Sequence, residues 1–558
     1  MFGKQLRHIN RYREIATVLA NQGFGYLIEE MDLLQKIPFR ERLWIKPSEA
    51  NSTDLGERIR IVLQELGPTY IKLGQIASTR SDILPSEIIV HLEKLQDKVS
   101  AFPFEQVKSL IKEELGTNIE EIFHEFEPQP LAAASIGQVH VATLESGQKV
   151  AVKIQRPGIA AAIETDLEIL LEIAVTAQNR FQWAKRYQVV DMVDEFAKSL
   201  RKELDYTVEA RNTDKISIQF KNQPDFYIPN VYWDYSTKRI LTTEFLQGIK
   251  VNQNDILSQQ GYNLSLIANR FAKGIFHQIF IEGFFHGDPH PGNIVVLPKE
   301  VIAFLDFGMV GRLSSEMKNC LSALLIGLKR NNTEDLMKAI FRMGIVPPQV
   351  NLHQLRDDIE LFKDTYYGIP LSKISIGEAI TNFFCIAQKH TIRIPSDLVL
   401  VGKTLLTVES VVKKLDPTLS LLDIAEPFGE KLLLERMHPR IIAESVLKTA
   451  TDFGDLFNNI PKNVKELSTI VNQGRLHLDV SLSETELFLK HQDRISNRLS
   501  VSIMLLAFSI IMGSIIISLS LMGQPSLLGN LPIVEIGFLI AMLMFVWVLY
   551  AIMRSGKL

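Results

Sequence analysis

The stretch Phe284-Phe285-His286-Gly287-Asp288-Pro289-His290-Pro291-Gly292-Asn293, with Leu305-Asp306-Phe307-Gly308 shortly after it, decides the fold. It sets out an acid, then an amide, then a second acid ahead of Phe-Gly. That order suits phosphoryl transfer assisted by a divalent cation. Asp288 stands where a base or hydroxyl-orienting group is needed, and Asn293 and Asp306 stand where Mg²⁺ ligands are needed. Mg²⁺ takes hard oxygen ligands and usually only one or two carboxylates, with water and substrate phosphate completing its shell. Each fragment alone is a weak signal, since Asp-Phe-Gly is a common turn. Their meaning depends on whether a nucleotide-binding lobe lies upstream.

Such a lobe is predicted. Leu131-Ala132-Ala133-Ala134-Ser135-Ile136-Gly137-Gln138-Val139-His140-Val141-Ala142 reads as strand, tight turn, strand. After Glu145-Ser146-Gly147-Gln148 comes Lys149-Val150-Ala151-Val152-Lys153-Ile154, a strand with Lys153 on one face. This is the order of the phosphate-covering hairpin and the Val-Ala-(Ile)-Lys strand of protein kinases. A lysine there contacts nucleotide phosphates and pairs with a helix glutamate. The expected phosphate loop departs from the glycine-rich norm. Ala132, Ala133 and Ala134 are expected in its turn, leaving Gly137, and an alanine Cβ restricts positive φ. The expected consequence is an altered nucleotide preference or suppressed protein phosphorylation. Ser135, Gly137 and Val139 complete the expected nucleotide-binding hairpin. Glu244-Phe245-Leu246 is the expected hinge, with Glu244 and Leu246 offering backbone groups to adenine.

Upstream, Gly67-Pro68 opens a helix that places Lys72, Gln75 and Thr79 on one face. With this segment the sequence resembles the atypical kinase family called UbiB, ADCK or AarF. The marks are Lys72-Leu73-Gly74-Gln75, Ala132-Ala133-Ala134-Ser135 and Glu203-Leu204-Asp205, and the resemblance spans roughly residues 60–430. It implies an α+β, protein-kinase-like two-lobed fold in which the Lys-x-Gly-Gln helix lies over the active site. Lys72 and Gln75 would point inward, and this lid would block a bulky polypeptide substrate. The segment Glu209-Ala210-Arg211-Asn212 implies Glu209 as the partner of Lys153, while Glu203 and Asp205 would face the site, Glu203 pairing with Lys72. ATP and Mg²⁺ are the implied cofactors. Bacterial members with a C-terminal hairpin are linked to isoprenoid quinone (ubiquinone) biosynthesis, giving access to hydrophobic intermediates or organising the enzymes that modify them.

The rest of the chain fits a membrane-associated enzyme. The 558 residues exceed what one core organises. Expected domains are an N-terminal helical region at 1–60, a helical extension at 61–116, a small lobe at 117–246, a large lobe at 247–430, a connector at 431–498 and two transmembrane helices at 499–553. Ile9, Tyr12, Ile15, Leu19 and Leu27 predict an amphipathic helix that either packs on the following domain or touches a membrane surface. Further helices are expected over Glu87–Val99 and Phe102–Gly116. After Lys153 one helix is expected with Ile169, Leu170, Ile173 and Val175 as core, and another over Glu195–Phe220. Pro229–Trp233 and Arg239–Leu246 read as strands. Residues from Gly311 to about Phe428 are expected to be helical, without the Ala-Pro-Glu signature of a peptide-docking lobe. Leu476 to Leu482 alternates as a strand, and Ser483-Glu484-Thr485-Glu486 is a capping box.

Leu499–Met522 carries no charge, and Ile533–Met553 carries one acid, Glu535, with Trp547 and Tyr550 near its far end. Both runs match a bilayer core of about 30 Å. Arg494, Arg498, Arg554 and Lys557 flank them, and the loop between has no Lys or Arg. A multi-pass protein of a bacterial inner membrane with its kinase-like domain in the cytoplasm is expected. The net charge of −4, from 60 basic and 64 acidic residues, gives no nucleic-acid footprint. Cys320 and Cys385 form no disulfide or zinc pattern. His-Gly-Asp in place of His-Arg-Asp removes the usual partner of a phosphorylated activation loop, and His290 is expected to pack in the loop, the alternative being a phosphate contact. The expected function is a membrane-anchored atypical kinase or ATPase with Lys153, Glu209 and Asp288 as catalytic residues. Membrane lipid and quinone-biosynthesis enzymes or intermediates are the expected partners. The alternatives are a small-molecule or lipid kinase and a nucleotide-binding pseudokinase scaffold.

Overall fold

The computed structural model describes residues 2–31, 54–78, 80, 83–95, 100–329, 332–343, 346, 350–366, 375–392, 394–436 and scattered positions between 503 and 543. The chain divides into two compact units, Met1–Ser445 and Val446–Leu558. In the first, helices α1 (Phe2–Asn21), α2 (Leu55–Leu66), α3 (Pro68–Ser78), α4 (Ser86–Leu92) and α5 (Phe104–Leu115) precede a small lobe. That lobe holds β1 (Phe123–Phe126), β2 (Ala132–Ala133), β3 (Gly137–Leu144), β4 (Lys149–Gln155), α6 (Ile159–Arg180), α7 (Val189–Glu203), α8 (Tyr206–Phe220) and β6 (Ile240–Glu244), while β5 (Phe226–Tyr227) belongs to the sheet of the large lobe. The large lobe follows with β7 (Ile249–Lys250), α9 (Leu264–Phe276), β8 (Phe284–His286), β9 (Ile294–Leu297), β10 (Val301–Phe304) and β11 (Val310–Arg312). Then come α10 (Ser315–Lys329), α11 (Thr333–Met343), α12 (Leu352–Tyr366), α13 (Ile376–Lys389), α14 (Ser396–Leu415) and α15 (Leu421–Arg436).

The small-lobe sheet is antiparallel, ordered β1-β3-β4-β6 with β2 on β3. Along β4 side chains alternate between faces. Val150, Val152 and Ile154 are fully buried, in one cluster with Val107 and Ile111 of α5. That leaves Lys153 on the opposite face, turned toward the cleft. In the large lobe the β9–β10 hairpin pairs Ile294 with Phe304. Asn293 and Leu305 therefore meet at its open end, where the Leu305 N–H donates to the Asn293 carbonyl at 3.0 Å. The hairpin register thus brings Asn293 and Asp306 to the same edge. Before the loop at 287–293, β8 pairs with β11. The segment after Asp306 is zipped to the segment before Asp288 and enters α10 by Ser315.

The N-terminal helix packs rather than standing free. Tyr12, Ile15, Ala16 and Ala20 form a buried stripe in one cluster with Ile163, Leu167 and Leu170 of α6. Arg11 of α1 reaches Asp166 of α6 with two nitrogens at 2.6 and 3.0 Å, and Tyr12 donates to Glu172 at 2.7 Å. Gly74 makes α3 thin, but side chains rather than backbone fill the gap. A Cβ there would come within 2.3 Å of Leu95 and 2.8 Å of Leu63.

Several sequence expectations are corrected. The helix expected over Glu195–Phe220 is two helices, broken at Leu204-Asp205, because Asp205 leaves helical φ/ψ to cap α8. The helix expected from Glu87 covers Ser86–Leu92. Val175 is 43% exposed, on the outer face of α6. Of Pro229–Trp233, only Val231 bridges to a strand, at Thr243. The helix α15 runs through Arg436, past the boundary expected at 430. Ala132 and Ala133 lie in strand β2, not in the turn.

Among the described residues no helix is long and apolar enough to cross a membrane. The expected spans 499–522 and 533–553 lie outside the described residues apart from scattered positions. So do Thr79, most of the connector, the strand at Leu476 and the capping box at Ser483. Within the second unit, the described Ile503, Leu506, Ile510 and Ile517 are helical and more than half exposed.

Candidate active site

The cleft is organised by Lys153. Its ammonium lies 2.8 and 3.0 Å from the two carboxylate oxygens of Glu209 and 3.5 Å from Asp306 Oδ2. β4 aims the lysine, α8 carries the glutamate, and the turn after β10 carries the aspartate. Burial alone would lower the lysine; the Asp306 and Glu209 carboxylates outweigh it and hold the ammonium charged. Burial pushes Glu209 up to about 7, with Lys153 opposing. Asp306 lies well below the usual carboxylate range. Its surroundings resist the charge, but Lys153 and the Gly308 N–H, donating at 2.8 Å, prevail. The Lys72 charge also reaches it. Asn212 of α8 donates to the Phe307 carbonyl at 3.1 Å and fixes the Asp-Phe-Gly turn to the same helix. Phe307 itself is fully buried against His286.

The loop at 287–293 hangs from a neutral imidazole. Burial pulls His286 down to about 4. Its Nδ1 accepts the Asp288 N–H at 3.2 Å, which sets the proton on Nε2. The Gly287 N–H donates to the Met309 carbonyl at 2.8 Å. The loop is thereby tied to the segment after Asp306, and Asp288 is left half-buried at the cleft. His290 corrects an expectation: it is exposed, and its Nδ1 accepts the Gly292 N–H at 3.0 Å to close the turn. Asn293 donates from Nδ2 to the Asp288 carbonyl at 3.4 Å, which frees its amide oxygen as a ligand. Among the described residues no group of three His, Cys, Asp or Glu forms a metal cage. One carboxylate and one amide oxygen are the hard donor set that Mg²⁺ accepts when substrate phosphates supply other ligands. Asp306 and Asn293 fit it.

The other expected residues divide. Lys72 of α3 meets Glu203 at 2.6 Å. Gln75 donates to the Leu95 carbonyl at 3.4 Å and so ties α3 to the end of the next helical segment. Asp205 does not aim at the cleft: its carboxylate accepts from the Thr207 N–H at 3.0 Å and the Thr207 hydroxyl at 2.6 Å. In the hairpin, Ala134 N–H donates to the Gly137 carbonyl at 2.8 Å, so Ser135-Ile136 forms the turn. Both residues are buried, with Ile136 in the cluster of Tyr70 and Ile163. Gly137 is required by close approach and not by positive φ, since a Cβ would come within 2.5 Å of the Ile154 carbonyl and of Tyr206 Oη. Val139 pairs with Lys153 across the sheet. At the hinge, the Glu244 N–H is taken by the Asn230 carbonyl and its carboxylate by Tyr227 and Asn230. Leu246 follows it, half-buried.

Sequence reasoning missed three residues here. Gln138 exchanges hydrogen bonds with the Phe102 backbone at 3.0 and 3.3 Å and anchors the incoming chain. The buried Tyr206 lies with its ring 5.2 Å from the Lys153 ammonium. Its position directly after Glu-x-Asp was the available signal. Lys403 of α14 lies 3.6 Å from Asp288 Oδ1, and no local pattern pointed to it.

Comparisons with known proteins place the chain beside kinase-like families. Residues 94–340 match the ABC1 atypical kinase-like domain, 359–420 the UbiB helical domain, and 483–554 the ABC1/UbiB kinase-like C-terminal domain. A protein of Marinobacter nauticus named "Probable protein kinase UbiB" is 36% identical over 397 residues, covering 70% of this chain and 72% of that one. An uncharacterized Synechocystis sp. protein is 34% identical over 436 residues, 77% of this chain and 74% of its own. A Clostridium pasteurianum protein encoded in the hydrogenase 1 5' region is 31% identical over 555 residues, 99% of this chain and 100% of its own.

Proposed function

The chain belongs to the UbiB-type ABC1 atypical kinase-like family, and on that footing we propose that it binds ATP with Mg²⁺ and turns it over at a membrane surface in support of isoprenoid quinone biosynthesis. The carrying observation is the assembled set of Lys153 on Glu209 and Asp306. In protein kinases the Lys–Glu pair and the Asp of Asp-Phe-Gly must both be in place before transfer proceeds. Here they stand together with a very short segment between Asp306 and α10, so no phosphorylation of an activation loop is required.

Each residue has a role that its surroundings support. Lys153 holds phosphate oxygens while Glu209 orients it. Asp288 orients the acceptor hydroxyl or water and takes up its proton. Asp306 and Asn293 hold Mg²⁺, which supplies charge compensation for the phosphates. The α3 helix, through Lys72 and Glu203, acts as a lid that disfavours polypeptide substrates. The apolar runs at 499–522 and 533–553 anchor the chain in the bilayer, the exposed Ile503, Leu506 and Ile510 being lipid-facing.

The test is ATP turnover by the full-length protein in lipid vesicles with and without a quinone-like phenol, against Asp306→Asn. Release of free phosphate, raised by lipid and lost in Asp306→Asn, is expected. Phosphate appearing on the added phenol would make the protein a small-molecule kinase instead. Nucleotide binding without turnover would make it a scaffold.

A further inference from the structure

The catalytic loop has a glycine where protein kinases carry an arginine, and a helix outside the kinase-like core fills the space. Leu400 of α14 lies against Gly287, where a Cβ would come within 2.9 and 3.1 Å of its methyl carbons. Thr404, one residue beyond Lys403, places its hydroxyl 3.5 Å from the His286 carbonyl and 3.3 Å from the Gly287 carbonyl. It is fully buried there. The two contacts fix the rotation of α14 about its axis and turn Lys403 to the cleft edge. Its ammonium lies 3.6 Å from Asp288 Oδ1, with the two side chains 28% and 35% exposed.

The charges around it are unevenly committed. Lys153 is held by Glu209 at 2.8 Å and by Asp306, and Lys72 by Glu203 at 2.6 Å. Lys403 makes a longer pair with one partly exposed carboxylate. From the other side burial pushes Glu93 up, and the Lys403 charge pulls it back. A triphosphate entering the cleft brings its terminal group toward Asp288, where two like charges meet. An ammonium already beside that carboxylate, loosely held and open to solvent, is placed to meet the incoming charge.

We infer that Lys403 contacts the terminal phosphoryl group of the bound nucleoside triphosphate beside Asp288, so that the helical segment after the kinase-like core completes the active site. This rests on the reading of the cleft as an ATP site. A diphosphate lacks the group that Lys403 meets, so the residue distinguishes the two nucleotides.

The experiment measures binding of Mg²⁺ with β,γ-imido-ATP and of Mg²⁺ with ADP to the full-length protein in detergent. Wild type, Lys403→Met and Lys403→Arg are compared, with thermal melts to confirm folding. Lys403→Met is expected to weaken triphosphate binding by roughly tenfold to a hundredfold, the worth of a charge-assisted hydrogen bond. ADP binding should change by less than about twofold. Lys403→Arg should keep the triphosphate preference. Equal losses on both nucleotides, or none on either, would overturn the role of Lys403 while leaving the ATP site intact. A wild type that binds neither nucleotide would overturn the proposed function, and this inference with it. Selective loss in a protein without turnover would support Lys403 and sink only the enzymatic part of the proposed function.

Discussion

At the residue scale the informative group is Glu209. Its carboxyl is raised from 4.5 to about 7 by burial. An acid whose folded pKa is raised stabilises the fold while protonated. That contribution is complete below about pH 4.5 and is lost as pH rises through about 7. The ion pair with Lys153 needs the other form. Turnover should therefore rise across the window in which this contribution to stability declines, and kcat/KM for ATP should show an acid limb with its midpoint near 7. Glu209→Gln should abolish the limb and lower the rate roughly a hundredfold, since the lysine loses its orientation. A pH–rate profile of both proteins checks this. Lys72→Ala leaves Glu203 without its ammonium and removes a positive charge that Asp306 feels. The ratio of ATP to ADP affinity should shift, as measured by direct binding, and an unchanged ratio would remove Lys72 from the site. The chemistry-bearing residue types were legible in sequence because metal and phosphate chemistry needs acids, amides and a lysine in fixed order. The role of Asp205 was not legible, because an acid directly before the first turn of a helix reads the same whether it caps or catalyses.

At the element scale the break between α7 and α8 decides where Glu209 points. Asp205 has extended φ/ψ and accepts from Thr207. Asp205→Ala should cost about 1 kcal/mol, whereas Asp205→Asn should stay within a few tenths, because both side chains cap. Thermal unfolding separates the two. A large loss of turnover in Asp205→Asn at full stability would return the residue to the chemistry. In the hairpin, Gly137→Ala should cost about 1–3 kcal/mol and lower the melting midpoint. Its obstacles are a strand carbonyl and the buried Tyr206 hydroxyl, neither of which moves freely. The alanine-rich segment is expected in a turn because the phosphate loop of protein kinases stands at that place in the order of elements. It is a strand because β3 offers Ala132 and Ala133 a register opposite Val139 and Gln138. Pairing across the sheet overrides local preference.

At the scale of the whole molecule, α1 is held to α6 by the bidentate Arg11–Asp166 pair, whose side chains are 17% and 6% exposed. Removing one member strands a buried charge, so Arg11→Ala should cost about 3 kcal/mol and hasten proteolytic release of α1. The amphipathic pattern of α1 was legible in sequence, and its partner was not. In the second unit, Ile510 is exposed on a helix within an uncharged run. Ile510→Lys should oppose insertion by about 3 kcal/mol and move full-length protein out of the membrane fraction, as flotation on a density gradient would show. An unchanged distribution would argue against a bilayer anchor at this run.

The order of residues along the chain was enough to determine the Lys153 strand, the Asp288–Asn293–Asp306 succession and hence the kinase-like α+β class. Strand alternation and ligand chemistry act over a few residues, and short-range rules are written into short stretches. Tertiary structure alone decided that α14 reaches Gly287 and brings Lys403 to Asp288, that Ser135 and Ile136 are buried, and that β8 and β11 close off the segment after Asp306. Those contacts join residues far apart in the chain. They are set by how many apolar side chains share one core, a collective property that no local pattern encodes.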